Sequence, residues 1–121
     1  MRRMKKILLT GATGFIGKAL TRHLSDTNYQ VRVLIHPSGA SPDLPKGIPV
    51  EATVSGLNDI RGLRAALVGV DFVYHLASQE AQGARGDLLE TDIKGTRNLV
   101  QAAEESDVER FIYLSHLGAD R

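Results

Sequence analysis

Three glycines at a spacing of three, Gly11, Gly14 and Gly17, are the residues of this chain whose type and placement most directly imply chemistry. They sit in ILLTGATGFIG, residues 7–17, after an apolar run (Ile7, Leu8, Leu9) that closes on Thr10. They precede KALTRHL, residues 18–24, which reads as an amphipathic helix. A buried strand, a tight turn and a helix N-terminus in succession form an anion site. Gly11 can take a backbone conformation that a Cβ would forbid. Gly14 lets the backbone approach a bound anion, and Gly17 lets the helix pack closely on the strand. The free N–H groups and positive end of the helix then face a diphosphate. Thr13, Phe15 and Ile16 complete the turn. A nucleoside-triphosphate loop fits badly, because Ala12 stands where its first glycine should be and Ala19 replaces the hydroxyl residue that would hold Mg²⁺. The motif therefore favours a dinucleotide, provided the rest of the chain alternates strand and helix. For the triplet alone, a plain strand–turn–helix is the competing reading.

The alternation is present. VRVLI, residues 31–35, is a second strand whose end should meet an adenosine ribose. The NAD-type fingerprint places an acidic residue there, about twenty residues past the glycines, to bind the 2′-hydroxyl. This chain has His36-Pro37-Ser38 instead. Without a carboxylate there is no repulsion against a 2′-phosphate, and His36 can donate a hydrogen bond to one, unless it is only a loop residue. Arg32 alternates to the same strand face and is a second candidate, unless it is simply solvated. The balance tips towards NADP over NAD.

Residues 36–49 hold all four prolines and form a surface loop. A short third strand spans 50–54. Asn58 or Asp59 caps a helix running through Leu67, with Ile60, Leu63 and Leu67 on one face. DFVYHLA, residues 71–77, is a mostly apolar fourth strand, as burial on two sides requires. The small, polar stretch 78–86 is placed to cover a cofactor. A long helix over 87–106 carries the stripe Leu88, Leu89, Ile93, Thr96, Leu99, Val100 and Ala103. Gly95 within it costs about 1 kcal/mol against alanine, which implies a close backbone contact. RFIYLS, residues 110–115, is the fifth strand. The pattern predicts an α/β fold with a doubly wound parallel sheet in the order 3-2-1-4-5. The ligand crevice then lies at the strands' carboxyl ends, between strands one and four, and gathers residues 11–17, His36, Ala77 and Ser115.

The 121 residues suit one domain, and 42% hydrophobic content suffices for its core. A net charge of +1 argues for neither nucleic acid nor a membrane surface as partner. MRRMKK reads as a solvated lead into the first strand, since the apolar run after it is too short for a secretory core. The absence of cysteine excludes disulfides and thiolate metal sites and is compatible with the cytoplasm, where the chain is expected. His23, His36, His75 and His116 never pair at metal-ligand spacing, so no metal is expected. Ser115 and His116 point to opposite faces as strand neighbours and form no triad. His75 reads as a packing or supporting residue near the cofactor rather than a catalytic base.

Four stretches together resemble the short-chain dehydrogenase/reductase superfamily in its extended or atypical, epimerase/dehydratase-like branches. TGATGFIG (residues 10–17) is similar to its TGxxGxxG turn, and VDFVYHLA (70–77) to its fourth strand ending in HLA. TDIKGTRNLVQAA (91–103) is similar to its NxxGTxNLLEAA helix, and RFIYLS to its fifth strand. The resemblance implies that Gly11, Gly14, Phe15, Ile16 and Gly17 bind the diphosphate, and that Ala77 and Ser78, with Leu76 beside them, line the ribose side. Gly95 and Thr96 would pack the helix behind the crevice. The chain also departs from the pattern. Ser55-Gly56-Leu57 replaces the family's Gly-Asp-Leu, whose aspartate binds adenine, and Asp92 replaces its helix asparagine. Ser115 or His116 falls where the family has a catalytic Ser or Thr. Its Tyr-x-x-x-Lys pair is absent, since Tyr29, Tyr74 and Tyr113 are followed four residues on by Val33, Ser78 and Leu117.

The resemblance thus implies the NAD(P)-binding Rossmann part, residues 1–121, of an epimerase, dehydratase or reductase, with the substrate domain outside this chain and no dehydrogenase activity expected of it alone. In such an enzyme, hydride passes between nicotinamide and a carbinol carbon of a small-molecule substrate. The alternative is a non-catalytic dinucleotide-binding redox sensor or accessory protein. With no sixth strand in these residues, the apolar fifth strand is expected to be a sheet edge that pairs with a second copy, making a homo-oligomer, or leaves the chain poorly soluble, unless residues 117–121 fold back to shield it.

Overall fold

The computed structural model describes residues 4–11, 15–25, 28–35, 50–76 and 86–114. The chain alternates β1 (Lys6–Thr10), α1 (Phe15–Ser25), β2 (Gln30–Ile35), β3 (Glu51–Val54), α2 (Ile60–Ala66), β4 (Phe72–Leu76), α3 (Gly86–Glu104) and β5 (Arg110–Leu114). The strands form one parallel sheet in the order β3-β2-β1-β4-β5, as the sequence predicts.

β1 is the centre of that sheet, paired with β2 on one side and β4 on the other. Its position explains its composition, because both faces of a central parallel strand are covered and both must be apolar. Ile7, Leu8 and Leu9 are entirely excluded from solvent. Leu8 packs with Leu63, Leu67, Val73 and Leu99, on the layer of α2 and α3. Ile7 and Leu9 face the other way, with Leu24, Val31, Val33 and Leu76, on the layer of α1. Alternation along one strand therefore feeds two cores, the signature of a doubly wound sheet.

The helix ends follow local chemistry. Asp59, not Asn58, is the N-cap of α2, its side chain accepting from the Gly62 N–H at 3.1 Å. Both the N–H and the hydroxyl of Ser106 donate to the Ala103 carbonyl and close the last turn of α3. α1 starts at Phe15, three residues before its amphipathic pattern begins at Lys18, so Gly17 lies in its first turn. The N–H groups of a first turn lack helical partners whatever the side chains, so periodicity does not mark it. Beside β4, β5 leaves Tyr113 exposed and Phe111 and Ile112 half-buried.

Candidate dinucleotide site

The carboxyl ends of β1 and β4 lie side by side, with Thr10 opposite His75. β2 lies on the far side of β1, so the winding reverses between β1 and β4, the point at which doubly wound sheets take their ligands. Gly11, the first residue beyond β1, has φ +74°. A Cβ on it would also stand 2.9 Å from Leu76 Cβ and 3.2 Å from the Leu76 carbonyl oxygen. Glycine is thus required twice, by the left-handed turn and by the contact with β4. The Leu76 N–H donates to Thr10 Oγ1 at 3.3 Å, so Leu76 is held from both sides. α1 begins only four residues after Gly11, and no acidic residue stands in its first turn. Gly11 set closely against β4, then a helix start whose first N–H groups lack helical partners and whose first turn carries no acidic residue, fits a dinucleotide diphosphate.

Behind the turn, His75 is buried at 2% exposure. Its Nδ1 lies 2.6 Å from Thr10 Oγ1 and its Nε2 lies 2.8 Å from Thr96 Oγ1 on α3. Its ring faces Tyr113 of β5 at 5.3 Å between centroids. His75 is thus a packed residue, its ring buried and bonded at both nitrogens. Its partners were not legible, although three polar residues in apolar surroundings signal that each needs one. Gly95 has the close contact its cost in the helix implies: a Cβ there would stand 2.8 Å from Leu57 Cβ. Asn98 Nδ2 donates to the Leu57 carbonyl at 2.8 Å, and the Ser55 hydroxyl donates to the Gly56 carbonyl at 2.9 Å. α3 thereby fixes the loop that leaves β3.

Arg32 is held by three acceptors. Its Nε donates to Glu51 Oε1 at 2.9 Å, and its Nη1 donates to the Ala66 and Val68 carbonyls at 2.7 and 2.9 Å. Those carbonyls close the C-terminus of α2, next to the chain's entry into β4 and hence at the amino ends of the strands. The guanidinium satisfies helix-end carbonyls away from the β1–β4 switch point, so it is not merely solvated. Arg32, and secondarily Lys6, hold the Glu51 carboxyl below its ordinary value by hydrogen bonding. Arg64 does the same to Glu105. Both pairs lie outside the crevice.

Phe15, Ile16 and Gly17 form the first turn of α1, and Leu76 ends β4 against Gly11. Thr13, Gly14, His36, Ala77, Ser78, Ser115 and His116 lie outside the described residues. Among the described residues no three His, Cys, Asp or Glu side chains gather as a metal site, and no helix is long and apolar enough to cross a membrane.

The parallel sheet, its reversal between β1 and β4 and the glycine turn at that point define a Rossmann-type dinucleotide-binding α/β protein. Residues 7–116 match the model of the NAD dependent epimerase/dehydratase family, and the chain belongs to that family. Among curated proteins it is 37% identical over 114 residues to sterol demethylase protein B of Methylococcus capsulatus, covering 93% of this chain and 34% of that protein. It is 32% identical over 123 residues to cinnamoyl-CoA reductase 1 of Petunia hybrida, covering 93% and 35%. The crystal structure of a variant uronate dehydrogenase from Agrobacterium tumefaciens complexed with NAD superposes with a TM-score of 0.72 at 27% identity, over 92% of this chain and 40% of that one. The chain spans about a third of the length of these curated relatives.

Proposed function

We propose that this chain is the NAD(P)-binding part of an oxidoreductase of the epimerase, dehydratase or reductase type. The observation that carries the reading is the Gly11 turn at the switch point, left-handed and in contact with Leu76. Gly11, Gly14 and the first turn of α1 would hold the diphosphate, and Leu76, Ala77 and Ser78 the ribose side. When bound, the dinucleotide supplies the hydride donor or acceptor. The residues of this chain bind and orient it. An acid–base pair acting on the substrate would come from outside these 121 residues, in a parent of the length of its relatives, and the substrate is then a small molecule.

NADP is favoured over NAD. β2 ends at Ile35, and His36-Pro37-Ser38 follow with no carboxylate to repel a 2′-phosphate. With Arg32 engaged elsewhere, His36 alone carries this preference. Calorimetric titration of the chain tests both levels. NADPH is expected to bind at least as tightly as NADH, and Gly14→Val to abolish binding while the fold persists. No binding of either dinucleotide by the folded wild type would refute the function. Clear NADH preference would refute the role of His36.

A further inference from the structure

We infer that His75 is a positioning residue for the glycine turn: an imidazole carrying its one proton on Nε2, which ties α3 to the β1–β4 seam through Thr96 and Thr10. The inference rests on the dinucleotide reading for its functional meaning, while its geometry stands by itself.

Counting donors fixes the direction of the chain of hydrogen bonds. A hydroxyl has one proton to give and two lone pairs to receive. Thr10 Oγ1 already accepts from the Leu76 N–H. If Thr10 gives its proton to Nδ1, the Nε2–H donates to Thr96 Oγ1, and every group between Leu76 and Thr96 is satisfied. The one proton then left over is the Thr96 hydroxyl's, on a half-buried helix residue that can reach back to a carbonyl one turn earlier. In the opposite direction, Thr10 would accept twice, and its own proton would need a further acceptor where Thr10 is only 4% exposed. Leaving that proton unmet is the costlier arrangement.

The path ends at the site. His75 aims the Thr10 hydroxyl, Thr10 holds the Leu76 N–H, and Leu76 presses its Cβ and carbonyl against Gly11. An imidazole kept only to fill space beside Tyr113 would have no such dependence on Thr96.

The test uses the whole chain as wild type, Thr96→Val and Thr96→Ser. Nitrogen-15 spectra of the wild type should show His75 protonated on Nε2. Thr96→Val should mix the tautomers and speed hydrogen exchange at the Leu76 amide by about three- to tenfold, the weight of one buried hydrogen bond. It should weaken NADPH binding by a similar factor, and Thr96→Ser should restore all three readings. A proton on Nδ1 in the wild type, which needs no variant to detect, would overturn the inference. So would wild-type exchange at Leu76, or unweakened NADPH binding, in Thr96→Val. If the wild type binds no dinucleotide, the proposed function fails, and the spectra and exchange still judge the role of His75.

Discussion

Gly11→Ala should destabilise the chain more than Gly69→Ala, although the two glycines have nearly the same backbone, φ +74° and +77°. A Cβ on Gly69 would meet nothing within 4 Å. That substitution therefore isolates the left-handed penalty, about 1–2 kcal/mol. A Cβ on Gly11 pays the same penalty and also meets Leu76 Cβ at 2.9 Å and the Leu76 carbonyl oxygen at 3.2 Å. Neither atom is the free end of a flexible side chain, and the Leu76 N–H is bound to Thr10. Strand β4 must shift, at the about 1–3 kcal/mol typical of overpacking. Gly11→Ala should thus cost about 2–5 kcal/mol, a large part of the about 5–15 kcal/mol that stabilises a domain. Urea unfolding of both variants measures the difference as a shift of midpoint at unchanged slope. Added NADPH should raise the wild-type midpoint by linkage and leave that of Gly11→Ala unmoved. If Gly11→Ala costs no more than Gly69→Ala, the contact with Leu76 does not constrain the turn and the reasoning fails.

Gly95→Ala gains about 1 kcal/mol of helix propensity but drives a Cβ into Leu57, so it should be neutral to destabilising by up to about 2 kcal/mol. In a Leu57→Gly background the same change should stabilise, and an unchanged sign by urea unfolding would refute the contact. Arg32→Met should lower stability, through the unpaired Ala66 and Val68 carbonyls, and leave the NADPH-to-NADH affinity ratio as it was; a changed ratio in calorimetry would return Arg32 to the cofactor site. The Glu51 carboxyl is held below its ordinary 4.5, so its ion pairs stabilise fully above that value and fade as the pH falls through the lowered folded value. Glu51 is half exposed, so the gap between wild type and Glu51→Gln should be under about 1 kcal/mol at pH 7, shrink with salt and disappear once the pH has fallen through the lowered folded value. A gap that does not shrink as the pH is lowered would show that charge is not its origin.

Local signals carried most of the fold. The run Ile7-Leu8-Leu9 before a glycine turn, the apolar FVYHL of β4 and the long stripe of α3 each fix an element and its two-sided burial, and the alternation of elements fixes the strand order. Gly95 even disclosed a contact, because a helix tolerates glycine at a cost that something must offset. The partner, Leu57, stayed hidden because nothing local names a residue so far back in the chain. Arg32 shows the same limit at the site. Alternation assigns the face of a strand side chain, but a long arginine can lean towards either end of that face. Glu51 and the carbonyls closing α2 decide which, and both are tertiary facts. Thr10, His75 and Thr96 were each visible as polar residues among apolar ones. Only the register of β1 on β4 brings them together.

Because β1 lies mid-sheet, its two flanks are completed at very different times. β2 follows closely, but the other flank of β1 waits for β4, with 65 residues separating Thr10 from His75. At about 5–20 residues per second, that wait lasts about 3–13 s. Throughout it the nascent chain presents Leu8, later entirely buried, beside an open row of backbone donors and acceptors. Slow translation of residues 11–75 would prolong this exposure and favour capture of the edge by chaperones or by other chains. Synonymous codons that speed this stretch should raise the soluble yield without changing a single residue.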